Sequence, residues 1–298
     1  MNQNSLKILE PMKYYWIYFL ISLSIIIPGT YSLIRYGLRP SIDFTGGSSI
    51  VWQTQNQLSD EDLSKAVSSV GGTIKESSRE GNKLSLTTTP LESDAYQKLR
   101  SDSRVVAAKI TELEYQTVGP SLGGELIKKT IYGVSLSALL IMLYVAYRFK
   151  DLKYGISAIL AMLHDSLVLL GSFSLLGHFA AVEVDTLFVT AVLTILSFSV
   201  HDTIVVYDRI RELKKHYGYL DFEETVNRAV VETMGRSLNN SLTIIFMLLS
   251  MYLLGGESIK HFILALLIGT ISGTYSSTFT AAPILVFWNK LLSRKKSK

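Results

Sequence analysis

The sequence predicts an α-helical polytopic membrane protein, six transmembrane helices with one small α+β domain outside the cytoplasm between helices 1 and 2. Three observations carry that prediction. Of the 298 residues, 48% are hydrophobic and only 18% charged, against about 25% charged in soluble domains. Six apolar stretches approach or exceed the roughly 20 residues a helix needs to cross about 30 Å of hydrocarbon. Between the first two lies a polar segment, 35–125, too long for a loop and the right size for a small domain.

The first span is placed at 14–34, behind a cytoplasmic N-tail of 1–13. Lys7 and Lys13 precede it, its 21 residues carry no charge, and no small-x-small cleavage site appears before Arg35. It therefore reads as a retained anchor, not a cleaved signal. The others fall near Ile127–Tyr147, Tyr154–Leu176, Thr186–Tyr207, Leu238–Leu254 and Phe262–Trp288. They lie within a region of 126–289 that includes a cytoplasmic loop at 208–236. The sixth is long enough to tilt or bend, and a basic tail, 290–298, follows it.

Orientation follows from Lys and Arg in the short connections. The N-tail holds two, Arg148 to Lys153 three, Arg209 to Arg236 six and Lys290 to Lys298 five, sixteen in all. The opposite side holds one, Lys260. Both termini are expected in the cytoplasm. The net charge of +4 is then a topology signal, and no nucleic-acid partner is inferred from it. With no cysteine, disulfide and thiol chemistry are excluded.

In the segment 35–125, SSIVWQT reads as a strand. Ser59 with Asp60, Glu61 and Asp62 reads as an N-cap and acidic first turn. Leu63, Ala66, Val67 and Val70 continue at helical spacing until Gly71-Gly72 stops them. TIKES and KLSLTTT alternate as two strands about a turn at Glu80-Gly81-Asn82. Pro90 introduces a second helix through Ala95, Tyr96 and Leu99, and RVVAAKITELEYQ is expected as a long closing strand. This order predicts a ferredoxin-like domain. It has no His/Asp/Glu cluster or nucleophile motif, so binding or leverage is expected of it, not catalysis. Two glycine motifs flank it: DFTGG, with Asp43, Gly46 and Gly47, and VGPSLGGEL, with Gly119 and Pro120. Their plain reading is tight turns where the chain leaves the membrane.

The fourth span carries His201 and Asp202. An aspartate near the middle of a membrane helix costs about 2.5 to 3.5 kcal/mol. The twelve Leu, Ile, Val and Phe residues between Thr186 and Tyr207 return roughly 4 to 7 kcal/mol at about 0.3 to 0.6 each. Insertion tolerates Asp202 without explaining it, and intramembrane carboxylates default to function. A second pair, His164 and Asp165, sits about 11 residues, or about 16 Å, into the third span. Gly155, Ala158 and Ala161 share a face with Asp165 and should turn it into the bundle.

At the cytoplasmic end of the fifth span stands Arg236, followed by Ser237, Asn239, Asn240, Ser241 and Thr243. Arg236 or an asparagine is the expected partner of Asp202, with Thr203 as a supporting polar group. His201 and His164 are candidate relays, against the plainer reading of packed histidines. Gly269 and Gly273 form a GxxxG-type packing face with Ser276, Ser277 and Thr280. Glu183 and Asp185 are expected to be solvated. Asp221 should cap an interfacial amphipathic helix through Phe222, Val226, Ala229, Val230 and Thr233.

DFTGG after span one, VGPSLGGEL before span two, HD in span three and VHDTIVVYDRIRE ending span four together resemble the SecF family. SecF is the smaller membrane subunit of the SecDF accessory of the Sec protein-export channel, in the resistance-nodulation-division superfamily. The resemblance covers nearly the whole chain. It implies a bacterial plasma (inner) membrane protein that promotes late steps of protein export, driven by the proton motive force. Its implied partners are a SecD-like subunit, the Sec channel (SecY/SecE/SecG), exported unfolded polypeptides and membrane lipid. It implies no enzyme activity and no cofactor or metal, the proton gradient being the energy source. By position it makes Asp202 the transport carboxylate, Arg236 the basic residue opening the fifth helix and Asp165 the acid of the third. His201 and Thr45 depart from its pattern, where asparagine and lysine are expected.

Three other readings compete. Half of a proton-driven exporter of small molecules or lipids from the same superfamily shares the architecture, but such exporters usually carry two halves on one chain. An intramembrane aspartyl protease also places two aspartates on neighbouring helices, but with YD and GxGD, and no GxGD occurs here. A passive scaffold predicts that Asp202→Asn keeps full activity.

Overall fold

The computed structural model describes residues 10–56 and 58–296. The chain divides into two compact units, one of residues 1–39 and 133–298, the other Pro40–Tyr132. Lys7 and the end of the basic tail fall outside the described residues.

A short 3-10 helix, Pro11–Tyr14, leads into α1, Tyr15–Arg35, which contains Pro28. The second unit then begins with α2, Ile42–Thr45, and β1, Gly47–Thr54. There follow α3, Asp60–Ser69; β2, Ile74–Glu80; β3, Lys83–Thr88; α4, Ser93–Ser101; α5, Ser103–Ala107; and β4, Ile110–Val118. The strands form one antiparallel sheet in the order β2-β3-β1-β4. Alternate residues Ile50, Trp52, Leu84 and Leu86 are buried against Leu63, Val67, Tyr96 and Leu99 of the helices. Ser59 caps α3 by accepting from Asp62 N at 3.1 Å, as an acidic first turn favours.

DFTGG folds as α2 and its exit. Ser41 accepts from Asp43 N, and Gly46 and Gly47 take φ of 66° and 140°, values that favour glycine. A Cβ on Gly47 would also lie 2.5 Å from the Thr88 carbonyl oxygen. Gly119 and Pro120 stand between β4 and the body of the next helix.

One strand expectation fails. Arg104, Val105 and Val106 form α5 instead of opening a long strand. Asp102 caps that turn by accepting from Arg104 N at 3.0 Å and pairs with its guanidinium at 2.8 Å. Val105 is thereby buried, and β4 starts only after Lys109, at φ 48°.

α6, Pro120–Phe149, begins in the second unit and passes at Gly133 into the first, which continues with α7, Leu152–Ala180; α8, Thr186–His216; α9, Phe222–Leu254; α10, Glu257–Ser276; a π-helical turn, Ser277–Ala281; and α11, Ala282–Lys296. Among the described residues six helical stretches are long and apolar enough to cross a membrane. A π-helical turn interrupts the last, next to Pro283, which has no N–H to give a helix hydrogen bond.

The expected loop at 208–236 is largely helix. α8 runs on to His216 and α9 starts at Phe222, so only Tyr217–Asp221 connects them. The expected interfacial helix is the first part of α9. Val226, Ala229 and Val230 are buried with Tyr207, Ile210 and Leu213 of α8, so this apolar face is used inside the protein. Charges on the outer surface are paired along the way: Arg209 with Glu232 at 2.5 Å and Arg148 with Asp208 at 3.1 Å.

Candidate functional site

Asp165 has no exposed surface. Its small helical neighbours Ala158 and Ala161 are also buried, which lets other helices close over the carboxylate. Three hydroxyl donors and one imidazole nitrogen then converge on it. Oδ2 accepts from Ser199 of α8 at 2.5 Å and from Ser276 of α10 at 2.6 Å. Oδ1 accepts from Ser272 of α10 at 2.6 Å and faces His164 Nδ1 at 3.1 Å. The four contacts fill the four lone-pair sites of the carboxylate oxygens. The other ring nitrogen of His164, Nε2, lies 2.9 Å from Ser22 Oγ on α1. One buried acid thus joins α7, α8 and α10 directly and α1 through a histidine.

The approach of α10 that makes this possible depends on glycine. A Cβ on Gly269 would run into the Ile195 side chain of α8, and one on Gly273 would lie 3.4 Å from Ser199 Cα. The segment Ser272–Ser276 consequently serves two sites. Ser272 and Ser276 hold Asp165, while Gly273 and Thr274 line the pocket of Asp202.

Asp202 is half-buried, and its partner is neither Arg236 nor an asparagine. Ser237 of α9 donates to Oδ2 at 2.7 Å. Beside it is a cavity of about 20 Å³, lined by Phe198, Asn240, Ser241, Gly269, Thr270 and others, room for about one water molecule. Thr274 bonds Ser241 across this space at 2.7 Å. Ser199 and Asp202 are one turn apart on α8, so the two carboxylates are anchored on the same helical segment.

The remaining expected residues separate. Arg236 is exposed and lines a groove with Asp208, Arg209, Glu212 and Glu232. Adjacent residues on a helix point about 100° apart, and here Ser237, not Arg236, takes the side facing Asp202. Asn239 is exposed, whereas Asn240, also exposed, reaches the cavity wall. Thr203 is buried but donates to the Ser199 carbonyl oxygen at 2.9 Å. His201 is exposed on the helix surface and is not joined to Asp165 or Asp202. Asp185 is not simply solvated, since it caps α8 by accepting from Phe188 N at 2.7 Å. Glu183 lies 3.6 Å from Arg39.

Sequence reasoning missed Ser22, Ser199 and Ser272. Their only signal is a hydroxyl at helical spacing from a glycine or an acid, which packing alone also produces. Among the described residues no group of three or more His, Asp or Glu side chains is arranged to hold a metal ion.

Known proteins align with this arrangement along most of the chain. The family described as "Protein export membrane protein SecD/SecF, C-terminal" matches residues 98–291. The protein translocase subunit SecF of Thermobaculum terrenum is 41% identical, with 94% of each chain covered. The protein translocase subunit SecDF of Thermus thermophilus is 34% identical over 88% of this chain and 36% of its own length. A crystal structure of Thermus SecDF, described as a translocon-associated membrane protein, superposes with a TM-score of 0.81 at 32% identity. It covers 94% of this chain, which spans only 38% of that longer one. The chain belongs to the SecD/SecF family of protein-export membrane proteins and, within it, to the SecF subunits.

Proposed function

We propose that this chain is the SecF subunit of a Sec translocase accessory complex and uses the proton motive force to promote late steps of protein export. One observation carries the coupling reading: among the described residues, neither Asp165 nor Asp202 is paired with a lysine or arginine. A carboxylate that is not permanently neutralised by a fixed cation can exchange a proton with a modest change in packing. The membrane potential contributes about 2.3 kcal/mol per charge for each 100 mV, comparable with the roughly 2.5 to 3.5 kcal/mol of placing an aspartate in a membrane helix. Protonation at these sites is therefore of the right size to tip a two-state bundle.

In this reading the protein is not an enzyme and needs no cofactor or metal. It sits in the bacterial plasma (inner) membrane with both termini in the cytoplasm. A SecD-like subunit is the partner, as the fused SecDF relatives suggest, and the Sec channel (SecY/SecE/SecG) and exported unfolded polypeptides complete the assembly. Exposed apolar residues such as Leu136, Leu140 and Leu143 on α6 suit contact with lipid. The βαββαβ order is read as a ferredoxin-like domain outside the cytoplasm, where it would grip or lever the emerging chain. Asp202 is the transport carboxylate, and Asp165 with His164 a second, fully buried proton site. Arg236 acts in the groove with Asp208 and Glu232 and not through a contact with Asp202, and His201 lies on the exposed surface of α8.

The test is reconstitution of the Sec channel with this chain and its SecD-like partner in vesicles. Completion of export should quicken only while a proton gradient is imposed. Equal stimulation after the gradient is collapsed would overturn the coupling reading and leave a passive scaffold.

A further inference from the structure

Helices α1 and α7 meet along an in-register seam. Ser22 Oγ lies 2.9 Å from His164 Nε2, and Ser32 Oγ lies 2.8 Å from Ser174 Oγ, each pair separated by 142 positions in sequence. Gly29 and Gly171 share that separation. A Cβ on Gly171 would lie 2.7 Å from the Gly29 Cα, and one on Gly29 3.0 Å from the Gly171 Cα. A constant offset means that the helices run parallel, and backbone contact at the glycines leaves no room for a side chain between them. Ser22 is therefore held against the His164 ring by the seam.

We propose that Ser22 is a positioning residue that reads the protonation state of the His164–Asp165 pair and passes it to α1. The proposal rests on the proton-coupling reading above. A neutral imidazole has one N–H. While Asp165 is ionised, that hydrogen sits on Nδ1, facing Oδ1, and Nε2 accepts from the Ser22 hydroxyl. Now let one proton enter the pair from water. If the imidazole keeps it, both ring nitrogens carry hydrogen and the carboxylate stays ionised. If the carboxyl ends up with it, Nδ1 has released its hydrogen to Oδ1 and Nε2 has gained the incoming one. Both of these outcomes place a hydrogen on Nε2, and Ser22 changes from donor to acceptor. A proton resting on Oδ2 against a reversed Ser199 or Ser276 hydroxyl would leave Nε2 bare, and the nitrogen-15 signal of the ring separates the two cases. When the proton leaves, each bond reverses.

The Ser22 hydrogen must then turn to another acceptor, either the Tyr275 hydroxyl, which is within hydrogen-bonding reach of Ser22, or a backbone carbonyl. The carbonyl of Tyr18, one turn back on α1, already accepts from Tyr275 at 2.7 Å and has a second lone pair. Serine bonding back to the carbonyl four residues earlier often bends a helix, and α1 carries Pro28 six residues on. Downstream, α1 ends at Arg35, and the chain enters the second unit at Pro40. The groups facing the pair are few. On α10, Tyr275 stacks over the ring at 6.2 Å, and Ser272 and Ser276 reach the carboxylate. α8 contributes Ser199, and α1 contributes Ser22 and the Tyr18 carbonyl.

The experiment is nitrogen-15 NMR of the full chain, histidine-labelled and in bilayers with its SecD-like partner. The His164 signals are identified by their loss in His164→Gln. Nε2 should change from bare to hydrogen-bearing as pH falls, and this change should disappear or move far in Asp165→Asn. An Nε2 that carries hydrogen throughout, or never does, overturns the proposal. This measurement reads the ring whether or not export uses the gradient, so its failure is distinct from failure of the coupling reading. In export assays Ser22→Ala should cut the gradient-dependent stimulation by about fivefold or more and displace its pH profile, while Ser22→Thr should stay within about twofold of wild type. Equal behaviour of the two variants would overturn the role of the hydroxyl.

Discussion

The Ser199 hydroxyl of α8 donates to the buried Asp165 carboxylate of α7 at 2.5 Å. One turn further along α8, Asp202 accepts from Ser237 of α9. A change in charge at either acid therefore alters how α8 is held by its neighbours.

The serine cage around Asp165 should be measurable as stability. Ser272→Ala or Ser276→Ala removes one donor from a fully buried acceptor and should cost about 1 to 3 kcal/mol. In an Asp165→Asn background the same serine changes should cost less, because donor and acceptor form one network. Thermal unfolding in detergent of the single and double variants gives the coupling. Additive losses would mean that the serines merely fill space.

Gly269 sets the distance between α10 and α8. Gly269→Ala should destabilise the bundle by about 1 to 3 kcal/mol through its clash with Ile195. Ile195→Ala, costly by itself because the side chain is buried, should cost less in the Gly269→Ala background than alone, since there it also removes the obstruction. The check is again the unfolding temperature in detergent, read with the Asp165 cage intact.

In the sheet domain Tyr96 donates to Glu112 at 2.8 Å, accepts from Trp52 at 3.1 Å and stacks on Tyr115 at 3.8 Å. Burial, with help from the Glu112 hydrogen bond and charge, pushes its hydroxyl up to about 12. Because the folded value lies above the unfolded one of about 10, the stabilisation is complete below pH of about 10 and is lost as pH rises toward about 12. Tyr96→Phe should lower stability near neutral pH by about 1 to 2 kcal/mol, leaving the Trp52 donor unmatched. It should also flatten the alkaline decline. Alkaline denaturation followed by tyrosine absorbance tests both.

Much of this was legible in the sequence, and what was not has a common cause. The apolar runs marked all six spans, and Ser59 with Leu63, Ala66 and Val67 marked α3, because burial there follows helical period. The extension of α8 is hidden because RIRELKKH is charged, and solvent-facing helix resembles loop when only hydrophobicity is read. The start of α9 was legible in its Asp221 cap and the spacing of Val226, Ala229 and Val230, but not that it runs unbroken into the fifth span. Val105 was read as strand because β-branched residues favour strands, yet the Asp102 cap outweighed that preference over one turn. Arg236 is the expected partner of Asp202 because it stands at the same end of the neighbouring span, where an arginine can reach inward. Which of two adjacent residues faces a neighbour depends on helix rotation, and here rotation gives that place to Ser237. The serines around Asp165 come from distant helices, so only the folded bundle brings them together.

In the proposed function Asp202 of α8 is the carboxylate that couples export to the proton gradient. The most direct test compares wild type with Asp202→Asn in vesicles carrying the Sec channel and the SecD-like partner, following completion of export with and without a gradient. Asp202→Asn should assemble normally, keep the gradient-independent rate and lose the gradient-dependent stimulation. Full stimulation of Asp202→Asn by the gradient would contradict the account.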